Sequence, residues 1–577
     1  MSQSPYRINS ENMAFLRRLS QLLTPLLVVQ LARAGKSAQA SGTTIEEWTQ
    51  LLSLLRENPY ALSVLYQLCL SQSKVFSSGI TYTPPDLAYE TAKAAAQYII
   101  GDKLSVLDPA CGGGILLRSL IDVLGSRVQR AAGIDLDQNA APLTEFTCNG
   151  CGVAIETLTY DALLNPPPPK SYDAIIMNPP YGSSRDRPNL EINKYFLKNT
   201  FGRRAGGKIN LYMAFVLSYL SVLKEYGVLT AIIPNSWLGI NDGAAFRETL
   251  IKSRIIREIK FNSLDTFPDI GAETVVLTLQ MSPADSFRVH FLDRTSKVIN
   301  FSDLKDASKI PLLNSSPIFA SSYREQTLSS WNELFEPKIA LQAYRTGGGT
   351  PPQTIEVVKT HPFHSRISRG SSIKYLEGGD VRRYALNWSG SYLDYGPWLA
   401  EHPPRSRFSG PRIVVREILG APPRIIQATI LEEDAAYNRS ILQIKLLVPH
   451  KYEELLTLLG YLNSSIASLH ILQQGRKAQR ALFPKLVIAD LKDLPVPKEL
   501  FSAKIQLAEL VHMRLLCKDP VKAAELDNQI DLTIADALEI REPIFQVHRE
   551  IETISRRLGL KISGPELNTA SRGEFRA

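Results

Sequence analysis

Asn178-Pro179-Pro180-Tyr181 follows directly on the apolar run Tyr172 to Met177. The residue types suit one chemical problem. An exocyclic amino nitrogen on a planar ring is a poor nucleophile, because its lone pair is delocalised into the ring. A pair of acceptors that takes both N–H groups draws that nitrogen toward tetrahedral geometry. The Asn178 side-chain oxygen and the Pro179 backbone carbonyl can form that pair. Proline has a fixed φ and no N–H, so Pro179 and Pro180 stiffen the loop and leave carbonyls as acceptors. Tyr181 offers a flat face on which a ring can stack. Group transfer to such a nitrogen is an in-line displacement in which alignment counts for more than a strong base. Two prolines after a buried strand also occur as plain loop chemistry, so the weight of the motif depends on what lies upstream.

Upstream, Val106-Leu107-Asp108-Pro109-Ala110-Cys111-Gly112-Gly113-Gly114 leaves one strand and opens a helix. Glycines there allow a tight turn and close approach of the backbone to a ligand. The spacing is not the G-x-G-x-x-G of a dinucleotide site, and Asp108 would repel a pyrophosphate. An acid suits a ligand that carries an ammonium and a sulfonium charge. The next strand ends in Ala132-Gly133-Ile134-Asp135, which puts a carboxylate where it can take both hydroxyls of a ribose. A third leads to Thr159-Tyr160-Asp161, where Asp161 can accept from an adenine amino group. Each acid alone is commonly a helix cap or a solvated loop residue. Three at successive strand ends around one glycine turn point to an adenosyl ligand, namely S-adenosylmethionine.

The elements that must hold these residues alternate in type. Leu104 to Leu107, Arg130 to Ile134, Ile155 to Thr159, Tyr172 to Met177, Val228 to Ile233 and Thr274 to Leu279 read as strands; Ile115 to Leu124 and Leu211 to Tyr226 read as helices. Such alternation predicts an α/β fold, a mostly parallel Rossmann-like sheet with helices on both faces, with ligands at the carboxyl ends of the strands. Residues 1–75 read as a helical segment without chemistry of its own, with Thr44-Ile45-Glu46-Glu47 at capping-box spacing ahead of an apolar run. The expected organisation is this helical segment, a catalytic domain over 76–290, a linker over 291–350, a second, α+β domain over 351–500, and C-terminal helices and tail over 501–577.

Composition sets limits. Of 577 residues, 44% are hydrophobic and 21% charged, as in globular proteins able to bury sizeable cores. The formal net charge of +8 suits a polyanionic partner without requiring one. Residues 351–500 hold 20 Lys and Arg against 14 Asp and Glu. Cys148 and Cys151 form a C-x-x-C with no neighbouring second pair, which is too little for a structural zinc site. Five cysteines in all fit a reducing, cytoplasmic setting. The apolar stretch Leu22 to Ala32 is shorter than the roughly 20 residues of a membrane helix, and no signal peptide is expected.

From about Val75 to Gln280 the sequence resembles the amino-methyltransferases of restriction–modification systems, in the γ-ordered adenine-N6 class. Gly79-Ile80-Thr81-Tyr82-Thr83-Pro84-Pro85 is similar to the leading cofactor motif of that class, Asp108 to Gly114 to its glycine turn, and Asn178 to Tyr181 to its catalytic motif. The resemblance implies that Thr83, Asp108, Ala110, Cys111, Gly112, Gly114, Asp135, Asp161 and Pro180 bind S-adenosylmethionine, that Asn178, Pro179, Pro180 and Tyr181 are catalytic, and that Tyr181 and Phe267 stack on a flipped adenine. Ala162 stands where the class often has a bulky aromatic residue, so packing against the cofactor adenine would fall to other apolar residues.

The same class carries a target recognition domain last. Tyr375 to Tyr384, Pro411 to Arg416, Leu462-Asn463-Ser464 and Leu494 to Pro497 are similar to parts of such domains. Arg382, Arg383, Arg412, Arg416, Arg476, Lys477 and Arg480 are the candidate contacts to double-stranded DNA, with Arg405 and Arg407 beside them. The implied function is a site-specific adenine-N6 DNA methyltransferase, acting as a monomer, with cleavage left to a separate cognate endonuclease. The alternatives are methylation of RNA guanine N2 or protein glutamine, a fused restriction–modification enzyme, and a DNA-binding module without catalysis.

Overall fold

A computed structural model of the chain describes residues 8–34, 44–72, 83–182, 210–238, 243–263, 266, 273–304, 310, 335–446, 452–475, 478, 484–496, 498–540 and 542–560. The chain forms two compact units, Met1–Leu312 and Leu313–Ala577.

The first unit opens with four helices, α1 (Ser10–Ser20), α2 (Pro25–Ala34), α3 (Ile45–Glu57) and α4 (Ala61–Gln72). At the start of α3 the Thr44 hydroxyl accepts the Glu47 N–H at 3.1 Å and the Glu47 carboxylate accepts the Thr44 N–H at 3.0 Å. The expected capping box thus satisfies two donors that a helix end leaves open. Leu16, Leu19, Val28, Leu51, Leu62 and Leu65 are buried in a shared core, each contributing roughly 1.5–3 kcal/mol by leaving water.

Next come α5 (Pro85–Ala96), β1 (Leu104–Asp108), α6 (Ile115–Leu124), β2 (Val128–Asp135), α7 (Ala140–Thr147), β3 (Ile155–Thr159) and β4 (Tyr172–Met177). Helix Leu211–Leu220, β5 (Leu223–Pro234), helix Ala244–Lys252, β6 (Ile256–Phe261), β7 (Thr274–Gln280), β8 (Ser286–His290) and β9 (Ser296–Asn300) complete the unit. The strands make one nine-stranded sheet in the order β3-β2-β1-β4-β5-β7-β6-β8-β9. β3, β2, β1, β4 and β5 are parallel, and β7 runs antiparallel between β5 and β6. Parallel strands buried on both sides read as unbroken apolar runs, as Ala174 to Met177 do in β4. The chain moves outward from β1 through β2 to β3, then crosses back so that β4 pairs with the other edge of β1, Val106 facing Ala174 and Leu107 facing Ile175. The carboxyl ends of β1 and β4 therefore flank the point where strand order reverses, the usual crevice for a ligand. The Rossmann-like α/β sheet read from the sequence is present.

Two boundaries differ from expectation. The helix expected to reach Tyr226 stops at Leu220, because Leu223 is already paired with Tyr172 in the sheet. Tyr226 takes a positive φ of 62° before the strand re-registers at Val228. Strand pairing outweighs the helical pattern there. The sheet also runs on past residue 290, into the expected linker. β8 and β9 form a hairpin that buries Phe287, Val289 and Ile299. The turn between them is held by the Asp293 carboxylate, which accepts the Thr295 N–H at 3.0 Å.

The second unit is α+β. One four-stranded sheet runs Phe335–Ile339, Ile441–Leu446, Arg412–Arg416, Ala428–Leu431, so the first of its strands also falls inside the expected linker. Another runs His364–Ser365, Ser391–Asp394, Ser372–Leu376, Ala435–Tyr437, and Val381–Arg382 pairs with Ala385–Leu386 as a small ribbon. Helices Tyr452–Leu462, Ser465–Gln474, Lys504–Leu516, Pro520–Ala537 and Ile544–Arg557 follow. Among the described residues no single helix is long and apolar enough to cross a membrane; the apolar pair Tyr452–Leu462 and Ser465–Gln474 is bent by 62° and nearly all of it is buried.

Candidate active site

Three of the predicted acids lie at three adjacent strand ends. Asp108 closes β1 and is fully buried. Its Oδ1 accepts the Ala110 N–H at 3.0 Å, while its Oδ2 is buried with no hydrogen-bond partner among the described residues. Burial, with the Asp135 charge adding to it, pushes the Asp108 carboxyl up to about 8. The turn that follows needs glycine at Gly112 and Gly114, whose φ values are +49° and +81°. Cys111 donates its N–H to the Ile134 carbonyl at 3.0 Å and turns its thiol inward, 3.4 Å from the Thr144 hydroxyl. Burial drives that thiol well above its ordinary range. The Cys111 side chain is thus part of the packing beneath the turn, and its carbonyl accepts the Gly114 N–H at 2.8 Å.

Asp135 closes β2. Its carboxylate accepts the Gly112 N–H at 2.8 Å and the Asp137 N–H at 2.9 Å, and burial raises its pKa. Asp161 follows β3, with its Oδ1 accepting the N–H groups of Leu163 at 3.0 Å and Leu164 at 3.3 Å. Both acids hold loop backbone in this structure, a cap-like arrangement. Both stand at or just past the carboxyl ends of their strands. Ala162, in place of a bulky aromatic, is buried, and its carbonyl accepts the Tyr219 hydroxyl at 2.9 Å.

The tetrapeptide leaves β4 beside this turn. The Asn178 Nδ2 donates to the Thr83 hydroxyl at 2.8 Å, and the Tyr181 hydroxyl donates to the Asn178 Oδ1 at 2.8 Å. Thr83 is buried and stands just before α5, so the leading motif and the catalytic motif are bonded directly. The Tyr181 hydroxyl also lies 3.5 Å from the Ile232 carbonyl, and its ring meets Tyr212 edge to face at 6.5 Å. Burial pushes the Tyr181 hydroxyl far above its ordinary range, so it stays a donor. Pro179 is buried and Pro180 half-buried, consistent with a stiff loop. Gly79 to Tyr82 and Phe267 lie outside the described residues.

Two contacts escaped sequence reading. Ser63 in α4 donates to the Gly113 carbonyl at 2.8 Å and meets the Thr147 hydroxyl at 3.0 Å. Tyr66, one turn further on, donates to the Asp137 carboxylate at 2.8 Å. The only signal was a polar pair at i and i+3 on an otherwise apolar helix, which share one face.

The basic residues of the second unit separate into kinds. Arg412 was expected to touch DNA, but it is fully buried. Its guanidinium donates to the carbonyls of Gly410, Glu433 and Ala435, so it is a core residue whose charge is met by backbone oxygens. Arg383 is half-buried and ion-paired with the buried Asp527 at 2.6 Å. A buried cation needs such partners, and sequence spacing does not reveal them. Arg382 is exposed and Arg416 half-buried, and among the described residues neither has an ion pair. Burial lowers the Arg416 pKa, helped by the Arg382 charge. Arg405 donates to the Ser371 carbonyl and lies over the Tyr395 ring. Arg476, Lys477 and Arg480 lie outside the described residues. Among the described residues no group of three or more His, Cys, Asp or Glu is placed to hold a metal.

Comparison with known proteins divides along the same lines. Residues 155–267 match the Eco57I restriction-modification methylase family, and residues 373–496 match the TaqI-like C-terminal specificity domain. The chain is 28% identical over 271 residues to the type II methyltransferase M.AccI of Acinetobacter calcoaceticus, covering 46% of each. It is 30% identical over 177 residues to M.TthHB8I of Thermus thermophilus, covering 30% of this chain and 38% of the relative. The chain thus spans less than half the length of these curated relatives. In fold it is similar to the type IIL restriction-modification enzyme MmeI, solved in complex with DNA, with a TM-score of 0.53 at 12% identity, over 93% of this chain and 82% of that one. The chain therefore carries a restriction-modification methylase segment followed by a TaqI-like specificity domain.

Proposed function

We propose that a chain built in this order, methylase segment before specificity domain, is a site-specific DNA methyltransferase that modifies the N6 amino group of an adenine flipped out of duplex DNA. The observation that carries this reading is the Asn178 amide. It stands at the carboxyl end of β4 beside the glycine turn of β1, and its Nδ2 is held by Thr83 so that its oxygen faces Tyr181.

The residues fit S-adenosylmethionine as the methyl donor. Asp108 Oδ2, buried without a partner among the described residues, calls for a positive group, and Gly112 and Gly114 let backbone approach closely. Asp108 would face the cationic methionine end, Thr83 its carboxylate, Asp135 the ribose hydroxyls and Asp161 the adenine, with Ala110, Cys111 and Pro180 lining the site. When bound, the donor supplies an electrophilic methyl group on a sulfonium centre.

The chain's own groups prepare the nucleophile. Asn178 Oδ1 and the Pro179 carbonyl accept the two amino N–H bonds and localise the nitrogen lone pair. Tyr181, with Phe267, stacks on the ring. Once the methyl group is transferred and the sulfur keeps the electron pair of its broken C–S bond, the cationic amino group loses its extra proton to water, the two amide oxygens serving only as hydrogen-bond acceptors. Positioning of this kind can supply several kcal/mol of the barrier. Extruding the base costs a few kcal/mol, which contacts of the specificity domain with the flanking duplex offset. Arg382 and Arg416, together with Arg476, Lys477 and Arg480, are the proposed DNA contacts. Action as a monomer, with a separate cognate endonuclease, belongs to the same proposal. Methylation-sensitive sequencing of DNA from cells producing the protein tests it. N6-methyladenine at one recurrent sequence is expected, and unmodified DNA would refute it.

A further inference from the structure

Helix α4 precedes both matched segments, yet it touches the glycine turn and the Asp135 loop at once. Ser63 is buried, and its hydroxyl has a single proton. That proton goes to the Gly113 carbonyl at 2.8 Å, which leaves the oxygen to accept from Thr147 at 3.0 Å. Tyr66 donates to Asp137 Oδ2 at 2.8 Å. The Asp137 N–H donates to Asp135 Oδ1 at 2.9 Å, and Asp135 Oδ2 accepts the Gly112 N–H at 2.8 Å. The path Tyr66, Asp137, Asp135, Gly112, Gly113, Ser63 therefore closes back on α4.

Gly113 shows how tight this approach is. Its φ is not in the left-handed region, so backbone strain does not demand glycine there. A Cβ at Gly113 would collide with the Cβ and Oγ of Ser63. The middle glycine of the turn is required by the neighbouring helix. A run of three glycines loses more conformational freedom on ordering than any other tripeptide. A turn already ordered before the ligand arrives spares binding that loss.

We propose that α4 is part of the cofactor site, with Ser63 and Tyr66 as positioning residues that hold the glycine turn and the Asp135 loop in the shape an adenosyl ligand needs. This rests on the S-adenosylmethionine reading above. It gives the N-terminal helices a role in cofactor affinity.

The test is calorimetric titration of the full chain with S-adenosylhomocysteine, alongside thermal unfolding without ligand and steady-state methylation. Tyr66→Phe removes only the hydroxyl. Its dissociation constant should rise about tenfold, as for loss of a hydrogen bond to a charged group, with KM for the methyl donor rising in step and kcat at saturation near wild type. Gly113→Ala should weaken binding at least as much, and adding Ser63→Gly should restore it to the level of Ser63→Gly alone. Such a rescue is expected only if the helix, and not the ligand, forbids a side chain at Gly113. Wild-type affinity in Tyr66→Phe, or no rescue in the double variant, overturns the clamp while leaving the cofactor reading intact. A wild-type chain that fails to bind S-adenosylhomocysteine overturns both.

Discussion

The Tyr181 hydroxyl donates at 2.8 Å to the Asn178 side-chain oxygen, the atom proposed to accept from the substrate amino group. The other end of the same amide donates to Thr83 at 2.8 Å. The amide is thus fixed at both ends, with its oxygen turned toward the aromatic ring that would stack on the base. An amide oxygen has two lone pairs. An incoming N–H either joins the tyrosine hydroxyl there or takes its place.

The hydroxyl is then a stand-in for the substrate, and the ring is the working part. Tyr181→Phe should keep the methylation rate within about threefold of wild type. Tyr181→Ala should lower it by roughly ten- to a hundredfold, the worth of one base–aromatic stack. Initial rates on duplex DNA decide this. Equal damage from both variants would move the role from ring to hydroxyl.

Asn178→Ala removes the acceptor without touching the glycine turn. Loss of one preorganised hydrogen-bonding group at a reacting centre costs about 10²–10³ in kcat, and a loss of that order is expected here. S-adenosylhomocysteine affinity should change by less than about twofold, measured by calorimetry. A variant that still methylates at near wild-type rate would sink the assigned role.

With Asp108 facing the cationic end of the donor as proposed, cofactor binding should depend on pH. Burial, with the Asp135 charge adding to it, pushes the carboxyl of Asp108 up to about 8. Below that pH it is protonated, while a cationic ligand favours the ionised form. Binding must then expel a proton, and affinity should fall by up to about tenfold per pH unit below 8. The same raised value works the other way on the ligand-free fold. Its contribution to stability is full below the unfolded carboxylate pKa and is lost as pH rises through 8. Calorimetry in buffers of different ionisation enthalpy should show one proton released at pH 7. Proton-neutral binding there would contradict the pairing of Asp108 with the cation.

Two arginines that look alike in sequence should behave oppositely. Arg412→Gln strands the buried carbonyls of Gly410, Glu433 and Ala435, and should destabilise the second unit by about 3 kcal/mol or more. Arg382→Gln should leave stability unchanged and flatten the slope of log affinity for DNA against log salt by about 0.9 if it meets one phosphate. Chemical denaturation and salt titration of DNA binding check the pair.

The legible parts of this protein are those in which local pattern and chemistry coincide. β1, β2 and β4 hold apolar runs that lead to Asp108, Asp135 and Asn178, β3 leads within two residues to Asp161, and the capping box of α3 is written in Thr44 and Glu47. Hidden features depend on partners distant in sequence. Leu223 joins the sheet because Tyr172 is there to pair with it. Arg412 is buried because backbone carbonyls wait for it, and the half-buried Arg383 is held by Asp527. Ser63 and Tyr66 matter only because the fold brings α4 against Gly113 and Asp137. No spacing rule links residues that far apart.

The most direct measurement is nucleoside analysis of duplex DNA incubated with the purified chain and isotope-labelled S-adenosylmethionine. Label is expected in N6-methyladenine with the wild-type chain and essentially none with Asn178→Ala. Label in N4-methylcytosine, transfer to RNA or to a protein glutamine in preference to DNA, or equal labelling by the Asn178 variant would contradict it.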